Sequence, residues 1–211
     1  MNHTLIQSLQ KNHPNVTVIM ASKYIDAADM TRYYDAGIHN FGENRVDALK
    51  AKQAALDLPI TWHFIGTLQS KKVKTIINDI DVLHTVDRMK LMTTIQNTRH
   101  TPLDAFIQFN ISNEASKHGF AVTDIDIISD ALKAAPIIHP IGVMGMAEHS
   151  SDETVIQAQF EALIHARDAL HKTHPSITKL SMGMSDDYAL ALQCGATHLR
   201  LGRILLEDSH V

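Results

Sequence analysis

The chain holds one cysteine, Cys194, among 211 residues. A single thiol excludes an intrachain disulfide framework, and with it the small stapled scaffolds of secreted proteins. Excess charge is scarce too: 19 Lys and Arg stand against 23 Asp and Glu, a formal net charge of −4. No basic surplus marks a nucleic-acid face. No apolar run is long enough to cross a membrane. The opening MNHTLIQSLQKNHPN has no basic segment followed by an apolar core, so a secretory signal is not expected. These absences point to a cytoplasmic protein. Metal-ligand spacing is also missing. The 14 histidines form no HExxH, no HxH and no Cys/His pair at zinc-finger spacing. His171 and His174 in HKTH read as partners of a helix C-terminus. Cys194, before Gly195, reads as a small buried residue with no redox partner beside it.

What is present is a core and an alternation. Hydrophobic residues make up 45% of the chain, enough for a large core without metal or disulfide support. Apolar strand-like runs alternate with helical patterns throughout. Strands are expected at 16–22, 38–43, 60–66, 81–87, 104–111, 137–146, 177–184 and 197–206. Helices are expected at 26–37, 44–55, 69–78, 88–98, 124–134, 151–172 and 185–194. About eight β/α units predict an α/β fold of the (β/α)8 TIM type, in one domain over residues 1–211. A doubly wound sheet is the alternative, but its first strand is usually followed by a glycine-rich phosphate turn. Here that turn is MASKYID, without glycine. The chain ends almost immediately after strand eight, so a helix over residues 3–12 is expected to cover the gap.

Barrel enzymes and binders place their working groups at the C-terminal ends of the strands. Those ends carry Lys23, then Glu43 and Asn44 in FGEN, then HFIGTLQS, HTVD, Asn110 and Ser112 in QFNIS, GVMGM, LSMGMSDD and LRLGR. Side-chain alternation puts Ile19, Ala21 and Lys23 on one face of strand one. It puts His198, Arg200 and Gly202 on one face of strand eight, with Leu199 and Leu201 opposite. An inward Arg200 needs a partner, and an internal ion pair with Glu43 or Asp87 is the purely structural explanation. SMGMSDD precedes a helix expected to start near Asp186. With Gly202 and Arg203 it forms a candidate phosphate cradle, because free N–H groups gather at such a place. The structural alternative is that Ser185 or Asp186 merely caps the helix.

A rim lysine, a phosphate cradle and an inward arginine match the needs of pyridoxal 5′-phosphate (PLP): an amine for its aldehyde, donors for its phosphate and a partner for its ring nitrogen. Desolvation in the barrel mouth would lower the lysine's pKa and favour Schiff-base formation. An arginine opposite the ring nitrogen would keep that nitrogen unprotonated and weaken the ring as an electron sink.

The stretches ASK (21–23), FGEN (41–44), WHFIGTLQSKK (62–72), VD (86–87), FNIS (109–112), SKHGF (116–120), GVMGM (142–146), LSMGMSDD (180–187) and LRLG (199–202) resemble the pyridoxal phosphate homeostasis protein family, single-domain relatives of the alanine racemase barrel domain. The likeness runs from about residue 16 to 204. It implies an alanine racemase N-terminal-like barrel with Lys23 as the Schiff-base lysine and Arg200 facing the pyridine nitrogen. It implies Ser185, Gly202 and Arg203 at the phosphate, Asn44 and Asn110 lining the pocket, and Met144 near the cofactor. It further implies PLP buffering and delivery without clear turnover, by transient contact with apo-enzymes, and a monomer is expected. Departures from the family pattern are Arg203 for a usual Thr, Lys71 for a usual Asn, Tyr24 for a usual Thr, a short N-terminus, and a C-terminal LLEDSHV in place of an IFG ending. Two other functions compete. A PLP-dependent amino-acid racemase needs a second base, for which Tyr188 is a distant candidate among Tyr24, Tyr33, Tyr34 and Tyr188. A Schiff-base aldolase acting on a sugar phosphate would use Lys23 but leave Arg200 without a role. Tyr24 is read as a shield of the Lys23 linkage against water.

Overall fold

The computed structural model describes residues 1–112 and 118–206. Ser116 and Lys117 of SKHGF, and Glu207 to Val211 of LLEDSHV, lie outside the described residues. Eight parallel strands close into a barrel in sequence order. They are β1 (Thr17–Ala21), β2 (Asn40–Glu43), β3 (Thr61–Phe64), β4 (Val82–Val86), β5 (Leu103–Gln108), β6 (Ile138–Met144), β7 (Lys179–Ser181) and β8 (His198–Leu201). Between them run α2 (Ala27–Asp35), α3 (Val46–Ala55), α4 (Val73–Ile76), α5 (Met89–Gln96), α6 (Ile125–Ala134), α7 (Glu153–His171) and α8 (Tyr188–Gln193). The TIM-type fold expected from the alternation is therefore the fold observed.

Local chemistry explains the elements. Asp152 caps α7, its carboxylate accepting from Thr154 N–H at 2.9 Å. Ile156, Phe160, Leu163, Ala166 and Leu170 then recur every three or four residues and form its buried stripe. Asp26 caps α2 in the same way through Asp29 N–H at 2.8 Å. Residues on the strands alternate between two environments. Met20, Phe41, Phe64, Leu83, Ile107, Leu199 and Leu201 join the layer beneath the helices. Val82, Phe106 and Met144 form a separate, smaller apolar cluster.

Helix α1 (His3–Asn12) precedes β1, as expected, and buries Ile6 and Leu9. The expected eighth strand over 197–206 is shorter. β8 stops at Leu201, and residues 203–206 form a short helix, α9 (Arg203–Leu206). Leu205 N–H donates back to Gly202 O at 2.9 Å, which turns the chain and buries the Leu205 side chain. Asn2 ties this turn to α1: its N–H donates to Leu205 O at 2.9 Å and its Nδ2 to Ile204 O at 3.1 Å. The helix expected at 69–78 is a 3-10 turn, Ser70–Lys72, leading into α4.

Strand β6 packs against β7 with no room for a side chain at Gly142, where a Cβ would lie 2.3 Å from the Lys179 carbonyl oxygen. Gly142→Ala is expected to destabilise the barrel by about 1–3 kcal/mol. Thermal melting checks this, at roughly 2–4 °C per kcal/mol for a chain of this size; an unchanged midpoint would contradict it.

Candidate functional site

A rim cavity of about 290 Å³ opens among the ends of β1, β2, β6, β7 and β8. That is close to the lower limit of roughly 300 Å³ for small-molecule pockets. Lys23, Tyr24, Asn44, Met146, Ser185, Asp186, Arg200, Gly202 and Arg203 are among its lining residues. Six of the eight candidates thus meet in one place: Lys23, Asn44, Ser185, Arg200, Gly202 and Arg203. Asn110 and Met144 do not line it. Asn110 sits past β5, its N–H donating to Phe120 O at 2.9 Å. Met144 is fully buried with Val82 and Phe106, deeper in the barrel, and Met146 two residues on reaches the cavity instead.

Lys23 is not the last residue of a strand. β1 ends at Ala21, and Ser22–Tyr24 form a 3-10 turn that leaves Lys23 exposed. The expected desolvation of its amine is therefore not there. Its Nζ lies 4.6 Å from the centre of the Tyr24 ring, itself 61% exposed, a cation–π geometry. The turn beneath Lys23 is held from inside. Buried Ser22 donates its Oγ–H toward Glu43 Oε1 at 2.8 Å and lies 3.3 Å from Gly42 O. Lys52 Nζ, from α3, donates to both Glu43 Oε1 and the Ser22 carbonyl. Glu43 is fully buried, and its Oε2 has no hydrogen-bond partner among the described residues.

Arg200 points inward, as the alternation predicts, and is 5% exposed. It does not pair with Glu43 or Asp87. Glu43 is held by Lys52, and Asp87 by Arg88. Arg200 instead donates from one terminal nitrogen to Ser181 Oγ at 2.6 Å and from the other to Gly145 O at 3.0 Å. Burial pushes its pKa down to about 10, opposed by the charge of Asp187. It remains a cation at neutral pH.

The phosphate-cradle candidate is built differently from the expectation. The helix after β7 begins at Tyr188, not near Asp186, and neither Ser185 nor Asp186 caps it. Asp187 Oδ1 accepts from Met184 N–H at 2.6 Å, folding the loop back on itself. Gly183 has φ +94, and a Cβ there would meet Ala191 and Leu199 at 2.7 Å, so the turn requires glycine. Ser185 Oγ receives the N–H groups of Gly202 and Ile204 at the long distances of 3.4 and 3.3 Å. Two amides and a hydroxyl thus converge on one spot. The Arg203 guanidinium is drawn aside to Asp186, at 3.2 and 2.9 Å. Lys71 is exposed on the turn after β3 and does not line the cavity.

Sequence reasoning missed the support beneath these groups. His63 Nε2 lies 3.0 Å from Asn40 Oδ1, His63 Nδ1 2.9 Å from His84 Nε2, and His84 Nδ1 2.9 Å from Ser181 Oγ. Period-two reading of TWHF and VLHTV, applied as it was to strand eight, places both histidines inward. Burial, then the positive charge around them, lowers all three interior imidazoles: His63 to about 3, His198 to about 4, and His84 well below its ordinary value. Tyr188 is no site residue: it lines a separate groove with Leu5 and Leu9 of α1. Cys194 is half-buried at the end of α8, its thiol pushed up by burial and by Glu161. Among the described residues, no three His, Cys, Asp or Glu side chains group as metal ligands.

Comparison with known proteins adds the following. A family model described as the alanine racemase N-terminal domain matches residues 4–209. A Pseudomonas aeruginosa protein named pyridoxal phosphate homeostasis protein is 36% identical over 203 residues, covering 94% of this chain and 87% of that one. Its Escherichia coli K12 namesake is 34% identical over 197 residues, covering 89% and 83%. PipY of Synechococcus elongatus PCC7942, solved without PLP, superposes with a TM-score of 0.89 at 31% identity over 98% of this chain and 100% of that one. The same protein with PLP bound gives 0.86 at 28% identity, again over 98% and 100%. A Clostridium difficile alanine racemase shares the fold alone, at 12% identity and a TM-score of 0.80, over 100% of this chain and 57% of that one.

Two predictions follow from the buried charges. Lys52→Met leaves Glu43 buried without its cation and is expected to cost about 3–5 kcal/mol in urea unfolding; a loss below about 1 kcal/mol would show that the pair is not holding the turn. The second concerns acid. Unfolded histidines take up protons near 6.5, while folded His63 and His198 resist until about 3 and about 4. The unfolded state therefore binds more protons below 6.5. Stability is complete above that pH and falls as pH drops toward 4, by roughly 1.4 kcal/mol per pH unit for each fully shifted histidine. Urea midpoints at about pH 7 and pH 5 test this, and equal values would refute it.

Proposed function

Since the chain belongs to the pyridoxal phosphate homeostasis proteins, a family built on the alanine racemase N-terminal domain, we propose that it binds PLP at the rim cavity and holds it in reserve for other enzymes. The residues present fit the group. Lys23 supplies the amine for a Schiff base. Ser185 Oγ and the N–H groups of Gly202 and Ile204 supply converging donors for a phosphate. Asn44 lines the wall between them. The observation that carries the reading is Arg200: a buried cation opening on the same cavity as Lys23, hydrogen-bonded only to neutral partners among the described residues.

When bound, PLP supplies an electrophilic aldehyde and an electron-accepting ring. Arg200 limits the second property, because a guanidinium can only donate and so favours an unprotonated ring nitrogen. Weak electron withdrawal suits storage rather than turnover. Lys23, on an exposed turn, leaves the linkage open to exchange with an incoming amine. The Arg203–Asp186 pair keeps Arg203's side chain off the cradle, leaving its backbone neighbours to do the binding. We place this activity in the cytoplasm, in a single-domain monomer that hands PLP to apo-enzymes by transient contact.

An amino-acid racemase is the second reading. One observation favours it: Tyr24 lines the cavity beside Lys23. Tyr24 is 61% exposed, and among the described residues nothing fixes its hydroxyl over one face of the cavity.

Incubating the purified chain with PLP, recording the visible spectrum, reducing with borohydride and mapping the peptide tests the proposal. A yellow protein with one adduct, at Lys23, absent from Lys23→Ala, is expected. L-alanine added to the loaded protein should show no solvent-hydrogen exchange at its α-carbon. A colourless protein would overturn PLP binding, and rapid exchange would favour the racemase.

A further inference from the structure

Resting on the reading that Arg200 meets a bound ring nitrogen, we propose that His84 and His63 are positioning residues for Arg200, acting through Ser181. The geometry is a continuous chain of buried side chains across the barrel, from Arg200 on β8 to Ser181 on β7, His84 on β4, His63 on β3 and Asn40 on β2.

The direction of the chain is set at the Asn40 end, with the amide oxygen facing His63. Asn40 Oδ1 can only accept, so His63 Nε2 carries a proton and donates to it. With His63 neutral, its Nδ1 is bare and accepts from His84 Nε2–H. With His84 neutral, its Nδ1 is bare in turn and accepts the Ser181 hydroxyl proton, while Ser181 Oγ accepts from Arg200. Both imidazoles are neutral Nε2–H tautomers. A proton added to either would set two donors face to face.

The surroundings hold the chain in this state. His84 stacks on Phe106, with ring centres 4.4 Å apart, and His198 lies edge-on to Phe106 at 4.9 Å. Around the two histidines the charged or titratable neighbours are Arg200 and His198; Lys179 acts on His198, and Asp187 acts on Arg200. No carboxylate enters the chain itself. Arg200 is thus pinned at two of its donors, Ser181 and Gly145, and its remaining N–H groups are left for the cavity. Without the histidines, the Ser181 hydroxyl would be free to rotate its proton toward Arg200 and release one of those two points.

The test uses His84→Leu, His84→Asn and Ser181→Ala. Asparagine keeps an acceptor near the Nδ1 position for Ser181. We expect all three to retain the Lys23 adduct. His84→Leu and Ser181→Ala should bind PLP about tenfold more weakly, about 1.4 kcal/mol, and His84→Asn should recover most of that loss. The visible band adds a readout that loss of packing would not move. A less constrained Arg200 lets the ring nitrogen protonate, which withdraws electrons from the Lys23 linkage, so the band titrates at lower pH in the leucine and alanine variants. Unchanged affinity and unchanged band titration in His84→Leu would overturn the proposal. Imidazole 15N spectra of the unaltered chain give an arm independent of folding and of PLP: a bare Nδ1 and protonated Nε2 on both histidines at neutral pH are expected, and a charged ring or an Nδ1–H on His84 refutes the chain. Failure of the unaltered chain to take up PLP would count against the proposed function, with the spectra still deciding the tautomers.

Discussion

Arg200 donates to Ser181 Oγ and to the Gly145 carbonyl, and among the described residues no carboxylate lies within ion-pair distance of it. Burying a cation this way is costly unless its hydrogen bonds are satisfied and its neighbourhood stays neutral. Much of the barrel interior meets that requirement. Three histidines sit inside, and each has its pKa depressed. The apolar cluster of Val82, Phe106 and Met144 packs beside them and adds no charge. Strand β7, only three residues long, is placed so that Ser181 pairs with His198 across to β8. Interior composition, strand length and protonation state are all constrained by one guanidinium.

Between the end of β2 and α3 the opposite strategy operates. Glu43 and Lys52 form a buried ion pair in the layer beneath α3, and their function is mechanical: they grip Ser22, the residue before Lys23. Lys23 and Arg200, two of the three cations lining the cavity, are therefore held in different ways. Arg200 is fixed by its own side chain, while Lys23 is fixed at its backbone, its ammonium resting over the exposed Tyr24 ring. A fixed donor suits recognition of a ring atom that does not move. On the proposed reading, an exposed amine on an anchored turn would suit a bond that forms and breaks.

Much of this was legible in the sequence. Eight alternating units led to the barrel, and period two led to an inward Arg200. Errors cluster where the chain leaves regular structure. Lys23 continues the alternation of β1 on paper but sits on a 3-10 turn, because Ser22 is pulled toward Glu43 by contacts between residues twenty-one apart. Residues 203–206 are apolar enough for a strand, yet the bond from Leu205 N–H to the Gly202 carbonyl turns the chain and Asn2, 202 residues from Ile204, fastens the end. Met144 and Met146 share a parity, so spacing cannot tell which reaches the cavity; depth along the strand decides it, and depth depends on barrel closure. Ser181 and the two histidines looked like ordinary strand residues, since nothing local reveals that they touch one another.

On the proposed reading, the same geometry would let the barrel hold a cofactor without using it. Racemisation at a carbon beside the linkage needs an electron sink and a proton-exchanging group positioned on each face. Arg200, pinned by Ser181 and Gly145, opposes the first condition on the proposed reading. The rim opposes the second: Lys23 is exposed, Tyr24 is mostly exposed, Tyr188 faces α1, and the Tyr33 hydroxyl is spent on the Leu205 carbonyl at 2.8 Å. Two features of different origin, one interior and one at the rim, thus favour retention over turnover. A substitution that repaired only one of them would leave the other in place. On the proposed reading, gaining racemase activity would first require a proton-exchanging group fixed over each face of the cavity.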